Sequence, residues 1–147
     1  MSRLAKRGSF EERKPTLLFV DYAVPQYDLY AGSRTNFMYL KLFVDMGLDV
    51  RFLSADFLRL EPYSSELNQL GIETLDGEWY RDNWEKWLQE NGQTIDYVFL
   101  NKPEPAEAFL SAVRKHTRAS ILYQCHDLHY LRLRRKAEVE HDNAMRE

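Results

Sequence analysis

The segment Leu17–Gly47 constrains the fold of this chain more than any other stretch. Its first five residues, Leu17–Asp21, are mostly apolar, which is typical of a strand buried on both faces of a parallel sheet. A loop containing Pro25 and Gly32 follows, and Ser33 is predicted to cap the helix that completes the segment. Strand, loop and helix N-terminus is an arrangement in which α/β proteins bind anionic or polyhydroxylated ligands, so the prediction of function begins here.

The rest of the chain alternates predicted strands and helices. Further strands are expected at 50–53, Ile72–Leu75, Ile95–Leu100 and Ser120–Gln124. Helices are expected from Ser64 or Ser65 to Leu70, over Asn83–Glu90, after Pro103 and Pro105, and from Leu128 onward. Such alternation predicts right-handed βαβ units, and therefore an α/β fold with a doubly wound parallel sheet. We expect residues 1–14 to be a flexible basic tail and residues 15–147 to be a single Rossmann-like domain.

Composition excludes several classes of protein. The chain has 147 residues, 44 % of them hydrophobic, so it is long and apolar enough to bury a core. The net charge of −3 argues against broad affinity for nucleic acid or anionic membranes. No apolar run approaches the roughly 20 residues of a transmembrane helix, and the basic start has no secretory apolar region. With Cys125 as the single cysteine, a reducing compartment is favoured, and we expect the cytoplasm.

Polar residues follow the predicted strands. They occur at Asp21–Tyr22, at Ala31–Thr35 in the next loop, at Ser54–Asp56, at Asn101–Lys102 and at Cys125–Asp127. Because the carboxyl ends of parallel strands meet at one edge of the sheet, these residues are predicted to surround a ligand crevice.

The AGSRT loop and the segment that follows the fifth predicted strand each allow a simpler structural interpretation. The sequence AGSRT matches neither the dinucleotide-binding nor the P-loop glycine pattern, so it is either a ligand loop or an ordinary helix start. His126 and His129 are spaced like metal ligands, but His116 and His141 have no evident reason to converge on them, so we expect no metal. Cys125 is either a nucleophile or a small residue that fills the strand end.

The aromatic and basic clusters also allow two interpretations. Trp79, Tyr80, Trp84 and Trp87 resemble a stacking platform for sugars or bases. However, Trp84, Trp87 and Leu88 have helical spacing, which favours a face packed on the sheet. The basic run at 132–136 is interpreted as a solvated helix face, with a membrane-surface patch as the alternative.

Taken together, these segments resemble the N-terminal domain of the bacterial group 1 glycosyltransferases, which are retaining enzymes of the GT-B fold. The resemblance extends from about Leu17 to Glu140. It rests on the order and spacing of VDYAVPQYDLYAGSRT, DMGLDVRFLSADF, EPYSSELNQLGIETL, GEWYRDNWEKWL and YQCHDLHYLRLRRKAE.

The resemblance implies two Rossmann-like domains that face each other across a cleft. The N-terminal domain receives a sugar or lipid-linked acceptor, and the other domain binds the nucleotide-sugar donor without a metal or other cofactor. His126 matches the histidine that contacts the transferred sugar and is the candidate catalytic residue. Further cleft residues are implied at Gly32, Ser33, Arg34, Lys102 and Asp127.

The chain departs from that family because no donor-binding domain follows its first domain. In the last predicted helix, basic residues precede acidic ones, which opposes the helix dipole and is expected of a severed element. We therefore expect a fragment of a hexosyltransferase that has no turnover alone. The cut edge and the very apolar first helix favour a homodimer. The alternative is a stand-alone, non-catalytic α/β binding or regulatory domain.

Overall fold

The computed structural model describes residues 13–101, 103–124 and 139, with residues 103–106 described by their backbone alone. Its centre is a five-stranded sheet in the order β3-β2-β1-β4-β5, and every neighbouring pair of strands is parallel. The strands are β1 (Thr16–Asp21), β2 (Asp49–Ser54), β3 (Glu73–Thr74), β4 (Tyr97–Asn101) and β5 (Ser120–Gln124). The helices are α1 (Ala31–Asp45), α2 (Tyr63–Gln69), α3 (Glu78–Asn91) and α4 (Pro103–His116), with a short 3₁₀ turn at Gly92–Thr94. The predicted doubly wound α/β fold is confirmed.

Strand β1 forms the centre of the sheet. All six of its residues are buried, because it pairs with β2 on one side and with β4 on the other. Phe19, for example, is in register with Phe52 of β2 and with Phe99 of β4. The chain leaves β1 toward β2 and leaves β4 toward β5, so the sheet grows in two opposite directions from the β1–β4 pair.

The helices cover the sheet on both faces. Leu40 of α1 and Leu67 of α2 are buried against the Phe19 side of the sheet. Trp87 of α3 and Val113 of α4 are buried against the opposite side. Right-handed crossovers that run in opposite directions place their helices on opposite faces, which accounts for the two layers. Among the described residues, no helix is both long enough and apolar enough to cross a membrane.

The aromatic segment of α3 belongs to the core, as its helical spacing predicts. Only 7 % of Trp87 and 2 % of Leu88 are exposed. The ring of Trp84 lies 4.5 Å from the ring of Phe109, edge to face. Trp79, in contrast, is exposed at the start of the helix.

The predicted N-cap of the first helix, Ser33, is wrong by three residues. α1 begins at Ala31, and Tyr30 is its N-cap with extended backbone angles of −131° and 135°. Ser33 therefore lies inside the first turn, and no described side chain caps the helix. The amides of Leu29 and Tyr30 both donate to the carbonyl of Gln26, and this turn leads the chain into the helix earlier than its polar residues suggest.

Two other helix starts also differ from the prediction. α3 begins at Glu78 rather than at Asn83, where the helix is kinked and the Asn83 side chain donates to the carbonyl of Trp79 at 2.9 Å. α2 begins at Tyr63, one residue before the first predicted capping serine. There Glu61 accepts a hydrogen bond from the amide of Ser65, the role of a capping side chain.

The end of α1 agrees with the sequence. Gly47 follows the C-cap residue with φ of +88°, a conformation that favours glycine. The amide of Leu48 donates to the carbonyl of Phe43, and the amide of Gly47 donates to that of Val44. These two bonds are the Schellman pattern that ends many helices.

The outer stripe of α1 is apolar and exposed. Met38, Leu42 and Met46 each expose about half or more of their surface. The prediction that this helix is covered by more than the sheet, by a second copy of the chain, stays a prediction.

Gly92 provides a test of helix packing. A Cβ at this position would overlap the carbonyl oxygen of His116 at the end of α4, and a backbone atom cannot turn aside. We expect Gly92→Ala to lower the free energy of unfolding by about 1–3 kcal/mol, the usual cost of overpacking. Urea denaturation measures the difference. The control is Gly32→Ala, whose Cβ would meet no described atom within 4 Å and which should be neutral or stabilising. Equal stability of Gly92→Ala and the wild type would contradict this packing.

Candidate functional site

The crevice of this fold lies where β1 and β4 run side by side. The loop after β1 leads toward β2, and the helix after β4 leads toward β5, so the two connections diverge at the carboxyl ends of these strands. Ligands of open α/β sheets bind at such a switch point. The described residues therefore define a candidate site at the ends of β1 and β4, next to the first turn of α1.

The last residues of four neighbouring strands form a row of polar side chains. Asp21 is in register with Ser54, and Asn101 with Gln124. Because Val20 pairs with Leu100, the next residues, Asp21 and Asn101, lie side by side. We call this set the polar row: Ser54, Asp21, Asn101 and Gln124.

The polar row faces α1. Two positions before it, on the same side of the sheet, lies a row of aromatic rings. Phe19 lies 5.9 Å from Phe52 and 4.7 Å from Phe99, and these rings belong to the core beneath α1. The core under this helix is thus apolar at its centre and polar at the edge where the crevice opens.

Side chains of α1 bind to the polar row. Asn36 donates from Nδ2 to Oδ2 of Asp21 at 2.8 Å, and the amide of Tyr22 donates to Oδ1 of Asp21 at 2.7 Å. Both carboxyl oxygens of Asp21 therefore accept hydrogen bonds. Gln124 donates from Nε2 to the hydroxyl of Tyr39 at 3.4 Å. α1 is therefore held to the sheet by polar contacts as well as by apolar burial.

Asn101 differs from its neighbours in the row. Its side chain is 0 % exposed, yet neither Nδ2 nor Oδ1 has a hydrogen-bond partner among the residues that the structure describes. A buried polar group without a partner costs about 1–3 kcal/mol, and such groups are rare in folded proteins. The sequence marks Asn101 only as a polar strand end, because its neighbours in the row belong to distant segments.

The predicted glycine-containing loop forms the first turn of α1. Gly32 and Arg34 are exposed there, and Arg34 Nε lies 3.5 Å from the carbonyl of Tyr27. The amide of Arg34 donates to the carbonyl of Tyr30, and the amides before it occupy the helix positions that have no intrahelical partner. This turn therefore offers amide donors and a cation to an anionic group.

Three predicted site residues, Lys102, His126 and Asp127, lie outside the described residues. The same holds for Cys125 and for the basic run at 132–136. Their roles stay predictions.

The loop between β1 and α1 is tethered to α2. Tyr27 stacks on Phe37 with ring centroids 4.5 Å apart and meets the ring of Tyr63 edge to face at 5.7 Å. The hydroxyl of Tyr63 donates to Asp28 at 2.6 Å. The pKa of Tyr63 is raised to about 12, mainly by this hydrogen bond to Asp28 and further by burial. The tether leaves Leu29 and Tyr30 exposed at the rim of the crevice.

A second loop, after β2, is held by Arg59. Its guanidinium donates to Glu61 at 2.6 Å, to Asn68 at 3.1 Å and to Ser65 at 3.2 Å. The pKa of Glu61 lies below its usual value, chiefly because Ser65 hydrogen-bonds to the carboxylate, with Arg59 adding to the shift. Both loops beside the crevice are thus fixed by side-chain hydrogen bonds to α2.

The fold and this crevice define a Rossmann-like α/β domain with a candidate ligand site at its topological switch point. Comparison with family models, curated proteins and solved structures finds no match to the chain. Function is therefore inferred from its residues and their geometry.

The Tyr63–Asp28 contact predicts a pH dependence. A tyrosine whose folded pKa lies above its unfolded value of about 10 contributes stability that is present below that pH and lost as pH rises. The loss should extend to about pH 12, the pKa of folded Tyr63. We expect the stability difference between the wild type and Tyr63→Phe to shrink across this interval in urea denaturation. Asp28→Asn removes the charged acceptor of the Tyr63 hydroxyl. Its stability should therefore fall less with rising pH than that of the wild type, as for Tyr63→Phe. Parallel curves for the wild type and both variants would contradict the tether.

Proposed function

We propose that this chain is the acceptor-side, N-terminal domain of a glycosyltransferase of the GT-B fold. In this proposal the crevice at the β1–β4 switch point receives a sugar or lipid-linked acceptor. The observation that supports it best is the pair of buried polar side chains at the ends of β1 and β4, Asp21 and Asn101, which lie beneath α1. Stability accounts for Asp21, which binds Asn36 of α1, but not for Asn101, which has no hydrogen-bond partner among the described residues.

The first turn of α1 suits the charged part of the reaction. Sugar transfer from a nucleotide sugar releases a diphosphate, on which negative charge develops as the sugar–oxygen bond breaks. Amide groups at a helix N-terminus and a guanidinium stabilise such charge when they are already in position. Gly32 leaves room for a phosphate to approach the backbone, since no described atom lies near its missing Cβ. Ser33 and Arg34 add a hydroxyl and a fixed cation.

The remaining roles follow from the family resemblance. By that resemblance, His126 is assigned the contact with the transferred sugar, and Lys102 and Asp127 are assigned to the same cleft. The nucleotide of the donor is bound by a second domain in this class of enzyme. We accordingly expect this domain to bind acceptor and phosphate groups, and not to turn over alone.

One observation favours the alternative, a non-catalytic α/β binding or regulatory domain. Asp21 is the acidic member of the polar row, and both its oxygens already accept hydrogen bonds. A carboxylate held in this way orients α1 and is poorly placed to take a proton from an acceptor hydroxyl. Binding without chemistry would need no such base.

Ligand titration by NMR tests the proposed function. We expect inorganic phosphate and a hexose 1-phosphate to shift the backbone amides of Ala31–Thr35. Arg34→Ala should weaken the binding by about tenfold or more, because a charge-assisted hydrogen bond contributes about 1.5–3 kcal/mol. The control is Arg81→Ala, an exposed arginine on α3 that pairs with Glu78 and Asp82 and should leave binding unchanged. Equal affinity of Arg34→Ala and the wild type, or shifts confined to α3, would contradict the proposal.

A further inference from the structure

The surroundings of Asn101 are polar, yet their described hydrogen bonds are directed elsewhere. Asp21 lies on the next strand, about 4.8 Å away across the sheet, and it accepts from Asn36. Gln124, the partner of Asn101 in the β4–β5 register, donates to Tyr39. The Asn101 amide is left without a partner among the described residues, in the middle of the polar row.

The fold itself does not require an amide at this position. Phe99, two residues earlier on the same face, packs against the aromatic rings beneath α1. An apolar side chain of similar volume could continue that packing, and it would remove the cost of an unpaired buried amide. Buried polar groups normally have hydrogen-bond partners, and exceptions to this rule are concentrated at functional sites. Asn101 is such an exception, and it lies where this fold class binds ligands.

The chemistry of the amide indicates what it would bind. Asn101 offers one acceptor oxygen and one donor nitrogen, and a hydroxyl group can satisfy both kinds of atom. A phosphate presents mostly acceptor oxygens, so it matches the donor nitrogen better than the acceptor oxygen. The polar row is therefore suited to a neutral group, in contrast to the first turn of α1.

The two parts of the site are separated along α1. Asn36 is the residue of α1 that binds Asp21 of the polar row, and it lies five residues after Ala31, the first residue of the helix. At a rise of 1.5 Å per residue, this corresponds to about 7.5 Å along the helix axis. That distance is comparable to the size of one sugar ring.

We propose that Asn101, beside Asp21, forms the floor of a subsite that takes a hydroxyl group of a neutral sugar. The inference rests on the proposed function and deepens it, since it assigns the hydroxyl-bearing part of the acceptor to the polar row. The charged part of the ligand remains at the first turn of α1.

Two leucine variants test this subsite. Asn101→Leu should lower the affinity for neutral methyl hexosides by about tenfold or more, the effect of losing roughly 1.4 kcal/mol. It should keep the phosphate-induced shifts of Ala31–Ser33 and resist urea better than the wild type.

The matched control is Asn91→Leu on α3, which removes a hydrogen bond to the carbonyl of Trp87. That variant should lose stability and keep the affinity for the hexosides. If leucine disrupts the packing, Asn101→Val, which suits a strand, replaces it.

The outcomes separate the subsite from the proposed function. Unchanged hexoside affinity in Asn101→Leu, with the α1 shifts intact, would overturn the subsite and leave the proposed function standing. A wild-type domain that binds phosphate but none of the hexosides would overturn the sugar-binding function, and the subsite with it.

Discussion

The parallel pairing of β1 with both β2 and β4 is the constraint on which the rest of this structure depends. It buries the whole of β1 and fixes the register of the aromatic row and of the polar row together. Side chains alternate between the faces of a strand, so a slip of one residue would turn Asp21 away from α1. The same pairing creates the switch point, because the chain departs from β1 and β4 in opposite directions.

The polar row gives α1 a specific position rather than only a buried one. Apolar contacts alone would tolerate small rotations of a helix whose outer stripe is also apolar. The hydrogen bond from Asn36 to Asp21 removes that freedom, since both groups are almost fully buried and a lost partner would be costly. A helix fixed in this way presents its first turn to the crevice at a defined place. The hydrogen bonds of Tyr63 to Asp28 and of Arg59 to Asn68 likewise fix the positions of the two loops beside the crevice.

The sequence predicts the layers of this fold better than its site. Apolar runs and helical spacing identify the five strands and the core face of Trp87, because these signals are local. The start of α1 is missed because the turn at Gln26 decides it, and no capping residue marks that turn. The sequence predicts Asp21, Ser54 and Asn101 as polar strand ends at one edge of the sheet, but it does not show that Gln124 completes the row or that α1 binds to it. Asn36 likewise looks like a surface residue until its partner on β1 is known.

The most direct test observes the side-chain amides themselves. In spectra of the wild-type domain, the NH₂ groups of Asn101 and Asn36 can be followed while a neutral methyl hexoside is added. The subsite predicts that the Asn101 signals shift and become protected from solvent exchange, in parallel with backbone shifts in the first turn of α1. Unmoved Asn101 signals at a sugar concentration that saturates the shifts elsewhere would contradict it.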